Sequence, residues 1–291
     1  MCRAYTSNLR RQLLLGSLAA SLAGSLPGLA QGVESSVAAT EGSQQSLSRC
    51  LPSPVDLPPF SLPPPAPDGG EAAALQPIKF KYPRYVKGTV INSGQGTPQV
   101  LMPDNVTFQM GSDSFKLLEF HFTAPSEHAM AGKHAALEAQ LVHRNTQTGE
   151  LCVLCVLLEA GGSSPNPCLA TALRSCPALL GAEAPMDKPI SLLTLLPSPR
   201  TLDGRRPYAT YMGTAGSLGS SRTRPPQGQG QQQQGPCGGG EAARWVVFLD
   251  PVQVPASQVL EVLYFAGNGR TMELNARPEQ PLGGRDVRFF I

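Results

Sequence analysis

The sequence of 291 residues has little excess charge of either sign. Its 23 basic and 21 acidic residues give a formal net charge of +2. So small a net charge does not favour binding to nucleic acid or to a charged membrane surface. We also find no phosphate-binding loop, no nucleophile elbow and no basic stripe, which argues against nucleotide-binding, serine-hydrolase and nucleic-acid-binding functions.

An apolar run long enough to span a membrane is also missing. The N-terminal apolar run, residues 12–26, is short and is interrupted by Gly and Ser, so we expect no membrane span in the mature chain. This run follows Arg10 and Arg11 and precedes a small-x-small cleavage site at residues 28–30, so residues 1–30 are predicted to be a targeting signal. The arginine pair resembles a twin-arginine signal; an ordinary secretory signal or an organelle presequence is the alternative.

The number of cysteines alone does not indicate whether the protein resides in an oxidising or a reducing compartment. Seven cysteines are present, and six remain if Cys2 is removed with the signal, an even number that allows disulfides without requiring them. Cys152 and Cys155 have the spacing of a redox pair, but strand positions three apart face opposite sides, so we interpret both as buried apolar residues. Whether Cys168 and Cys176 pair stays open.

Glycine and proline, 30 and 29 residues, are concentrated in a few segments, which indicates long loops around a compact domain. Residues 31–49 are predicted to be a flexible leader, and residues 50–291 the domain. A proline-rich loop at 58–66 and a low-complexity insert at 214–240 interrupt the domain. We expect these two segments to be the surfaces that adhere to a partner.

Between the loops, strand patterns outnumber helical ones, so we predict a mainly β fold. A continuous apolar run at 151–158 predicts a strand that is buried on both faces. Short helices are predicted at 170–180 and 257–264. Alternating or β-branched segments predict further strands at 79–82, 88–92, 107–110, 116–122 and 138–143.

Two segments resemble the metal-binding core of the alpha-class carbonic anhydrases. Residues 120–128 read F-H-F-T-A-P-S-E-H against the family's F-H-F-H-x-P-S-E-H, and residues 137–143 read L-E-A-Q-L-V-H against E-x-H-L-V-H. Blocks at 244–254 and 275–282 follow in the family's order, the second close to N-x-R-P-x-Q-P-L. The resemblance implies a large, twisted, mostly antiparallel sheet with a few short helices and a conical active site that reaches its centre.

The resemblance also implies a zinc site from which two of three ligands are missing. The family's ligand positions, both histidines of H-x-H and the one two residues after the glutamate, hold His121, Thr123 and Gln140. Alternation along a strand puts 121 and 123 on one side, and a neighbouring antiparallel strand completes the tripod. A threonine hydroxyl stays protonated near pH 7, and a glutamine oxygen suits hard cations better than zinc. We therefore expect no cofactor and negligible carbon dioxide hydration.

Further positions take their expected roles from the same resemblance. Gln95 stands where the proton-shuttle histidine follows N-x-G, and glutamine cannot relay a proton. Glu127 matches the glutamate that receives a threonine's hydrogen bond, and Glu138 the carboxylate that orients the third ligand. A buried carboxylate that has lost its partner often takes up a proton. His128 and His143 match histidines with structural hydrogen bonds.

The resemblance leaves one position open and suggests one disulfide. The threonine that orients the zinc-bound hydroxide corresponds to Gly216 in an ungapped alignment and to Thr223 if T-R-P-P is aligned with the family's T-T-P-P. Cys50 and Cys237 match places where many secreted or bacterial members carry a bridge, so the resemblance implies that these two cysteines pair.

Two functions fit these observations. The first is a catalytically inactive carbonic-anhydrase-like protein that acts as a binding or structural subunit, with a protein partner or with a small anion in the residual cone. The second is a zinc-dependent carbonic anhydrase with a rearranged ligand set such as His121, His128 and Glu138. The export signal predicts an extracytoplasmic compartment. The low-complexity inserts favour the thylakoid lumen of an alga, with the periplasm or secretion as alternatives.

Overall fold

The structure, a computed structural model, describes residues 50–60, 76–215, 240–267 and 271–291. Fifteen strands and two α-helices, α1 (Pro167–Ser175) and α2 (Ala256–Ala266), lie in these ranges, with a 3-10 helix at Leu192–Leu195. The mainly β fold is confirmed. The strands are β1 (Asp56–Leu57), β2 (Ile78–Lys81), β3 (Thr89–Ile91), β4 (Gln99–Leu101), β5 (Thr107–Met110), β6 (Asp113–Thr123), β7 (Ala129–Met130), β8 (Lys133–His134), β9 (Leu137–Asn145), β10 (Leu151–Ala160), β11 (Glu183–Pro185), β12 (Tyr208–Ala215), β13 (Glu241–Phe248), β14 (Val252–Val254) and β15 (Arg288–Phe290).

Twelve of these strands form one large sheet. Its main path runs β11-β3-β4-β6-β9-β10-β13-β12-β15, and β14, β5 and β2 pair at its side. All of its ladders are antiparallel except those of β10 with β13 and β14, which are parallel. Strands β1, β7 and β8 make a separate small sheet. The centre of the large sheet is therefore β6, β9 and β10, the strands that carry the predicted tripod and the apolar run.

The central strand β10 is buried on both faces, as its apolar run predicts. Cys152 and Leu154 pack in one hydrophobic core, and Val153 and Cys155 pack in the other, on the opposite face of the sheet. Both cysteines are fully buried and free. Their placement on opposite faces confirms that they do not form a redox pair.

A β-bulge in β6 sets which of its residues lie on the face that carries the tripod. Between Leu117 and Glu119 the register with β9 shifts by one residue, because Leu118 is an extra residue on this strand. After the bulge Phe120 and Phe122 pack in the same core as Leu117. The intervening positions 119, 121 and 123 consequently point to the other face, where the tripod lies.

Both predicted helices exist, with different bounds. Helix α1 begins earlier than predicted because the Asn166 side chain caps it, accepting hydrogen bonds from the backbone N–H groups of Cys168 and Leu169. It ends at Ser175, earlier than predicted, because the residue before Pro177 is forced out of the helical conformation. In the described ranges no helix is both long enough and apolar enough to cross a membrane.

Several predictions concern residues outside the described ranges. These are the targeting signal at 1–30, the leader at 31–49, most of the insert at 214–240, and the three residues Gly216, Thr223 and Cys237. Cys50 is described and is not one of the free cysteines. Its pairing with Cys237 stays a prediction.

Candidate functional site

A cavity of about 320 Å³ lies against the part of β6 that follows the bulge. Four of the predicted site residues line it: Gln95, His121, Thr123 and Glu127. His128, Glu138, Gln140 and His143 are fully buried or nearly so and are not among the lining residues. The other lining residues are Ser93, Thr97, Gln99, Glu119, Phe122, Asn275 and Arg277.

The three tripod positions share one face of the sheet, as predicted. His121 on β6 pairs directly with Gln140 on β9, and Thr123 pairs with Glu138. Directly paired residues of antiparallel strands project to the same face. Thr123 Oγ1 and Gln140 Oε1 are both buried, and neither has a hydrogen-bond partner. The three tripod positions therefore hold one imidazole and two buried oxygens without a hydrogen-bond partner.

The Gln140 amide bridges two buried carboxylates. Its Nε2 donates to Glu127 Oε2 at 2.8 Å and to Glu138 Oε1 at 2.9 Å. The reverse orientation of the amide would place its oxygen against both carboxylates, so the hydrogen bonds fix which atom is Nε2. The amide oxygen consequently turns away from the two acids and towards His121.

Arg277 completes the pairing of Glu127. The backbone N–H of Arg277 donates to Glu127 Oε1 at 3.0 Å, and its Nε and Nη2 donate to Oε1 and Oε2 at 2.9 and 2.6 Å. Burial lowers the pKa of Arg277, but Glu127 more than offsets this and leaves the pKa raised. The C-terminal sequence motif that contains Arg277 does not by itself indicate this role. No spacing rule points to a partner 150 residues away.

Glu138 is held in its ionised form. Burial raises its pKa, but the ring and the backbone N–H of His128, together with the Gln140 amide, bring the pKa down to about 2. The distances are 2.9 Å for each of these three contacts. The low pKa argues against the proton expected on such a carboxylate, because His128 and, to a smaller extent, the Gln140 amide stabilise the charge of Glu138.

The two buried histidines both make hydrogen bonds within the protein. His128 Nδ1 contacts Glu138 Oε1, and His128 Nε2 contacts the Tyr211 hydroxyl at 2.7 Å. His143 Nε2 contacts the hydroxyl of Tyr82 at 2.7 Å, and its Nδ1 contacts a backbone carbonyl at 2.8 Å. Burial lowers the pKa of His143 to about 3, so its ring is neutral near pH 7.

Glu119, like Arg277, is a residue of the site that was not predicted from the sequence. It is almost fully buried on the cavity wall, accepts a hydrogen bond from Gln99, and lies 3.9 Å from His121 Nδ1. Burial raises the pKa of Glu119 to about 7, although the Gln99 bond lowers it. Burial also lowers the pKa of His121. The alternation that places 121 and 123 in the site also places 119 there, and this signal could have found it.

The tripod does not fit zinc. Zinc binds thiolate, imidazole and carboxylate donors, usually four including water. Only His121 is of this kind among the three tripod residues. The N–H groups of Gln140 are engaged, and its oxygen is a weak ligand for zinc. Two of the three positions therefore offer no suitable donor.

The rearranged set His121, His128 and Glu138 is not brought together either. In the described ranges, the three metal-ligating side chains that converge are His128, Glu138 and Cys155, whose ligand atoms lie within 4.8 Å of one another. Both ring nitrogens of His128 already have hydrogen-bond partners. Burial raises the pKa of Cys155 well above its ordinary value and keeps it a neutral thiol. A metal here would have to displace these bonds and a proton.

Comparison with known proteins accords with the resemblance and the fold. The profile of the eukaryotic-type carbonic anhydrases matches residues 53–226. A carbonic anhydrase of Pectobacterium atrosepticum is 32% identical over 201 residues, 68% of this chain and 67% of that protein. The solved structure of carbonic anhydrase Cah3 from Chlamydomonas reinhardtii, in complex with acetazolamide, is similar with a TM-score of 0.68 and 35% identity, covering 90% of this chain and 99% of that one. An alpha-carbonic anhydrase of Thermovibrio ammonificans has a TM-score of 0.61 and 28% identity, covering 83% and 87%. The chain belongs to the eukaryotic-type, or alpha, carbonic anhydrase family.

Proposed function

We propose that this protein is a catalytically inactive member of its family and acts as a binding or structural subunit. The observation that supports this most directly is Gln140, whose amide N–H groups are bonded to Glu127 and Glu138 at the third ligand position. Hydration in a zinc enzyme requires a metal that lowers the pKa of its bound water to about 7. One imidazole beside an alcohol and an amide does not hold such a metal.

The test is the metal content and the activity of one preparation. The mature chain is expressed with zinc in the medium, zinc is measured by elemental analysis, and carbon dioxide hydration is followed by stopped flow. We expect much less than one zinc per chain and a rate equal to that of buffer. Stoichiometric zinc with turnover above buffer would establish the second function, a zinc-dependent carbonic anhydrase with a rearranged metal site.

A gain of metal binding provides the matched control. Because positions 121, 123 and 140 share one face, the double variant Thr123→His, Gln140→His is expected to bind one zinc per chain, and each single variant is expected to bind it more weakly. Circular dichroism would verify folding of each variant. A folded double variant that binds no zinc would contradict the assignment of these positions to the tripod.

We further infer that the chain is exported, with the thylakoid lumen of an alga as its compartment. Arg10 and Arg11 before the apolar run support export, and the similar Chlamydomonas reinhardtii structure accords with an algal source. A fluorescent protein fused behind residues 1–49 would be followed in algal cells, with Arg10→Lys, Arg11→Lys as the variant. We expect lumenal fluorescence that this variant abolishes. Cytosolic fluorescence of the unchanged fusion would overturn the inference.

As a subunit, the protein is expected to bind another protein of that compartment. Native electrophoresis of the compartment's extract should place it in a band larger than the isolated chain, and a band at the size of the isolated chain alone would contradict this. The small anion expected from the sequence stays a prediction. The carboxylates that surround the base of the cavity argue against it.

A further inference from the structure

A second cavity, a groove of about 670 Å³, lies between α1 and α2. Its walls are mainly apolar and are formed by Leu173 of α1, by Tyr264 and Phe265 of α2, and by residues 177–178 of the loop that follows α1. Binding pockets of proteins have volumes of about 300–1,000 Å³, so this groove has room for bulky side chains.

Large apolar side chains are exposed around this groove. They lie on α2, on the loop after α1 and beside the last turn of α2, where the backbone N–H of Glu273 donates to the carbonyl of Leu263 at 3.1 Å. Exposed apolar residues that occur singly are normal on a protein surface, but several around one groove mark an interaction site. Six residues form this apolar patch, each between 47% and 74% exposed: Leu179, Leu180, Leu260, Tyr264, Met272 and Leu274.

Helix α2 carries apolar residues on its outer side as well as on the side that faces the core. Val262 and Ala266 are buried, whereas Leu260 and Tyr264 are exposed. Residues four apart on a helix are neighbours, so Leu260 and Tyr264 project together from the outer side. A helix that is apolar all round is usually covered on every side. The described residues leave the outer side of α2 uncovered, which fits the apolar surface of a partner.

The groove keeps one negative charge that no internal ion pair neutralises. Among the described residues that line it, Arg174 is the only cation, and its Nε lies 2.7 Å from Asp187 Oδ2. Glu261 is the only acidic lining residue, and it has neither a hydrogen bond nor an ion pair within the described ranges. Charge complementarity therefore favours a basic residue of the partner opposite Glu261.

We propose that the groove and the apolar patch dock a segment of a partner protein, which inserts an apolar side chain between α1 and α2 and places a lysine or arginine against Glu261. Burial of the apolar patch favours association, and the charged pair selects the partner. A partner without a basic residue would bury the Glu261 carboxylate unpaired, which costs free energy. This inference rests on the proposed role as a binding subunit and names the docking surface and the chemistry of the partner.

Native electrophoresis tests the surface in extracts of cells that express a variant in place of the unchanged chain. Leu260→Ser, Tyr264→Ser changes only exposed side chains, so the fold is expected to persist, and circular dichroism would verify this. We expect the fraction of the chain in the complex to fall about tenfold or more. Leu202→Ser, at an exposed leucine of the turn at 201–204, is the matched control and should keep the complex. A complex that survives the double variant, or that Leu202→Ser abolishes equally, would overturn the proposal.

Charge variants test the chemistry of the partner. Glu261→Lys places like charges opposite each other, so we expect the complex to weaken about tenfold, whereas Glu261→Asp should keep it. Asp286→Lys, at an exposed acid that does not line the groove, is the control and should form the complex as the wild type does. An unchanged complex in Glu261→Lys would contradict the proposed pairing.

A photoreactive residue identifies what occupies the groove. With p-benzoylphenylalanine in place of Tyr264, irradiation of the complex is expected to link the chain to another protein, and mass spectrometry should find a lysine or arginine next to the linked segment. The same residue in place of Leu202 should give no link. A link to a second copy of this chain, to a lipid or to a segment without a basic residue would refute the proposal.

This inference and the proposed function can fail separately. If the wild-type chain forms a complex that no variant of the groove changes, the docking surface is wrong and the role as a binding subunit stands. If the wild-type chain is found only at its own size, both are wrong.

Discussion

At position 140 a glutamine amide lies between two buried carboxylates and donates one N–H to each. Gln140→Leu keeps a similar volume but leaves Glu127 and Glu138 without this donor. Removing a partner from buried charged groups is strongly destabilising, so we expect the free energy of unfolding to fall by about 3 kcal/mol, measured by urea denaturation. Thr123→Val, whose hydroxyl has no partner, should stay within about 1 kcal/mol of the wild type. Equal losses in the two variants would refute this account.

Glu119 makes stability depend on pH in a direction opposite to that of most carboxylates. Its pKa is 4.5 in an unfolded chain and about 7 in the folded protein. Between these values the folded state holds a proton that the unfolded state has released, so the free energy of unfolding falls as pH rises. The total fall is about 3 kcal/mol. Glu119→Gln should remove this fall.

Urea denaturation at pH 5 and pH 8 measures the effect. The wild type should lose more stability than Glu119→Gln between these pH values, and the difference between the two proteins isolates Glu119 from all other titrating groups. Glu261→Gln, on the exposed side of α2, is the matched control and should follow the wild type. A parallel pH dependence in wild type and Glu119→Gln would show that Glu119 is ionised throughout.

At the scale of elements, the local sequence pattern predicts the strands around the site. It does not predict how these strands are connected. Alternation along β6 and β9 and the resemblance together predict that His121, Thr123 and Gln140 share a face, and the register confirms it. The bulge at Leu118 leaves no trace in the sequence, because Leu117 and Leu118 are both apolar and either could face the core. Without that extra residue, side chains would alternate between the two faces without interruption from Leu117 onwards. The His121 side chain would then point into the hydrophobic core.

The hydrogen bonds made at the positions of the family's zinc ligands could not be predicted from the sequence either. The residue types predict the loss of a metal site, since threonine and glutamine are poor zinc ligands. They do not predict that Gln140 bonds both acids. They also do not predict that the C-terminal segment brings Arg277 to Glu127. The proton expected on Glu138 is absent mainly because the ring and the backbone N–H of His128 stabilise the carboxylate, with the Gln140 amide as a smaller contribution.

At the scale of the whole molecule, the N-terminal end of the described domain lies beside the end of β12, from which the chain enters the long insert. The backbone N–H of Thr214 donates to the carbonyl of Leu51 at 2.9 Å, and Pro52 bridges to Thr214. Strand β12 ends at Ala215, which pairs with Glu241 at the start of β13. The last described residue before the insert and the first strand residue after it therefore lie at one corner of the sheet. The segment that contains Cys50 lies next to this corner.

This arrangement favours the predicted Cys50–Cys237 disulfide, because Cys237 precedes Glu241 by only four residues in the sequence. Proteolysis of the exported protein without reduction, followed by mass spectrometry, should yield one linked peptide pair containing these two cysteines. Cys50→Ser should lower the free energy of unfolding by about 2–4 kcal/mol, and Cys50→Ser, Cys237→Ser should lower it equally, since each removes the same cross-link. Cys176→Ser, at a free cysteine, is the control and should have a smaller effect. Recovery of Cys50 as an alkylated thiol from the folded, unreduced protein would contradict the prediction, and the corner would then be held by the Leu51 and Pro52 backbone contacts.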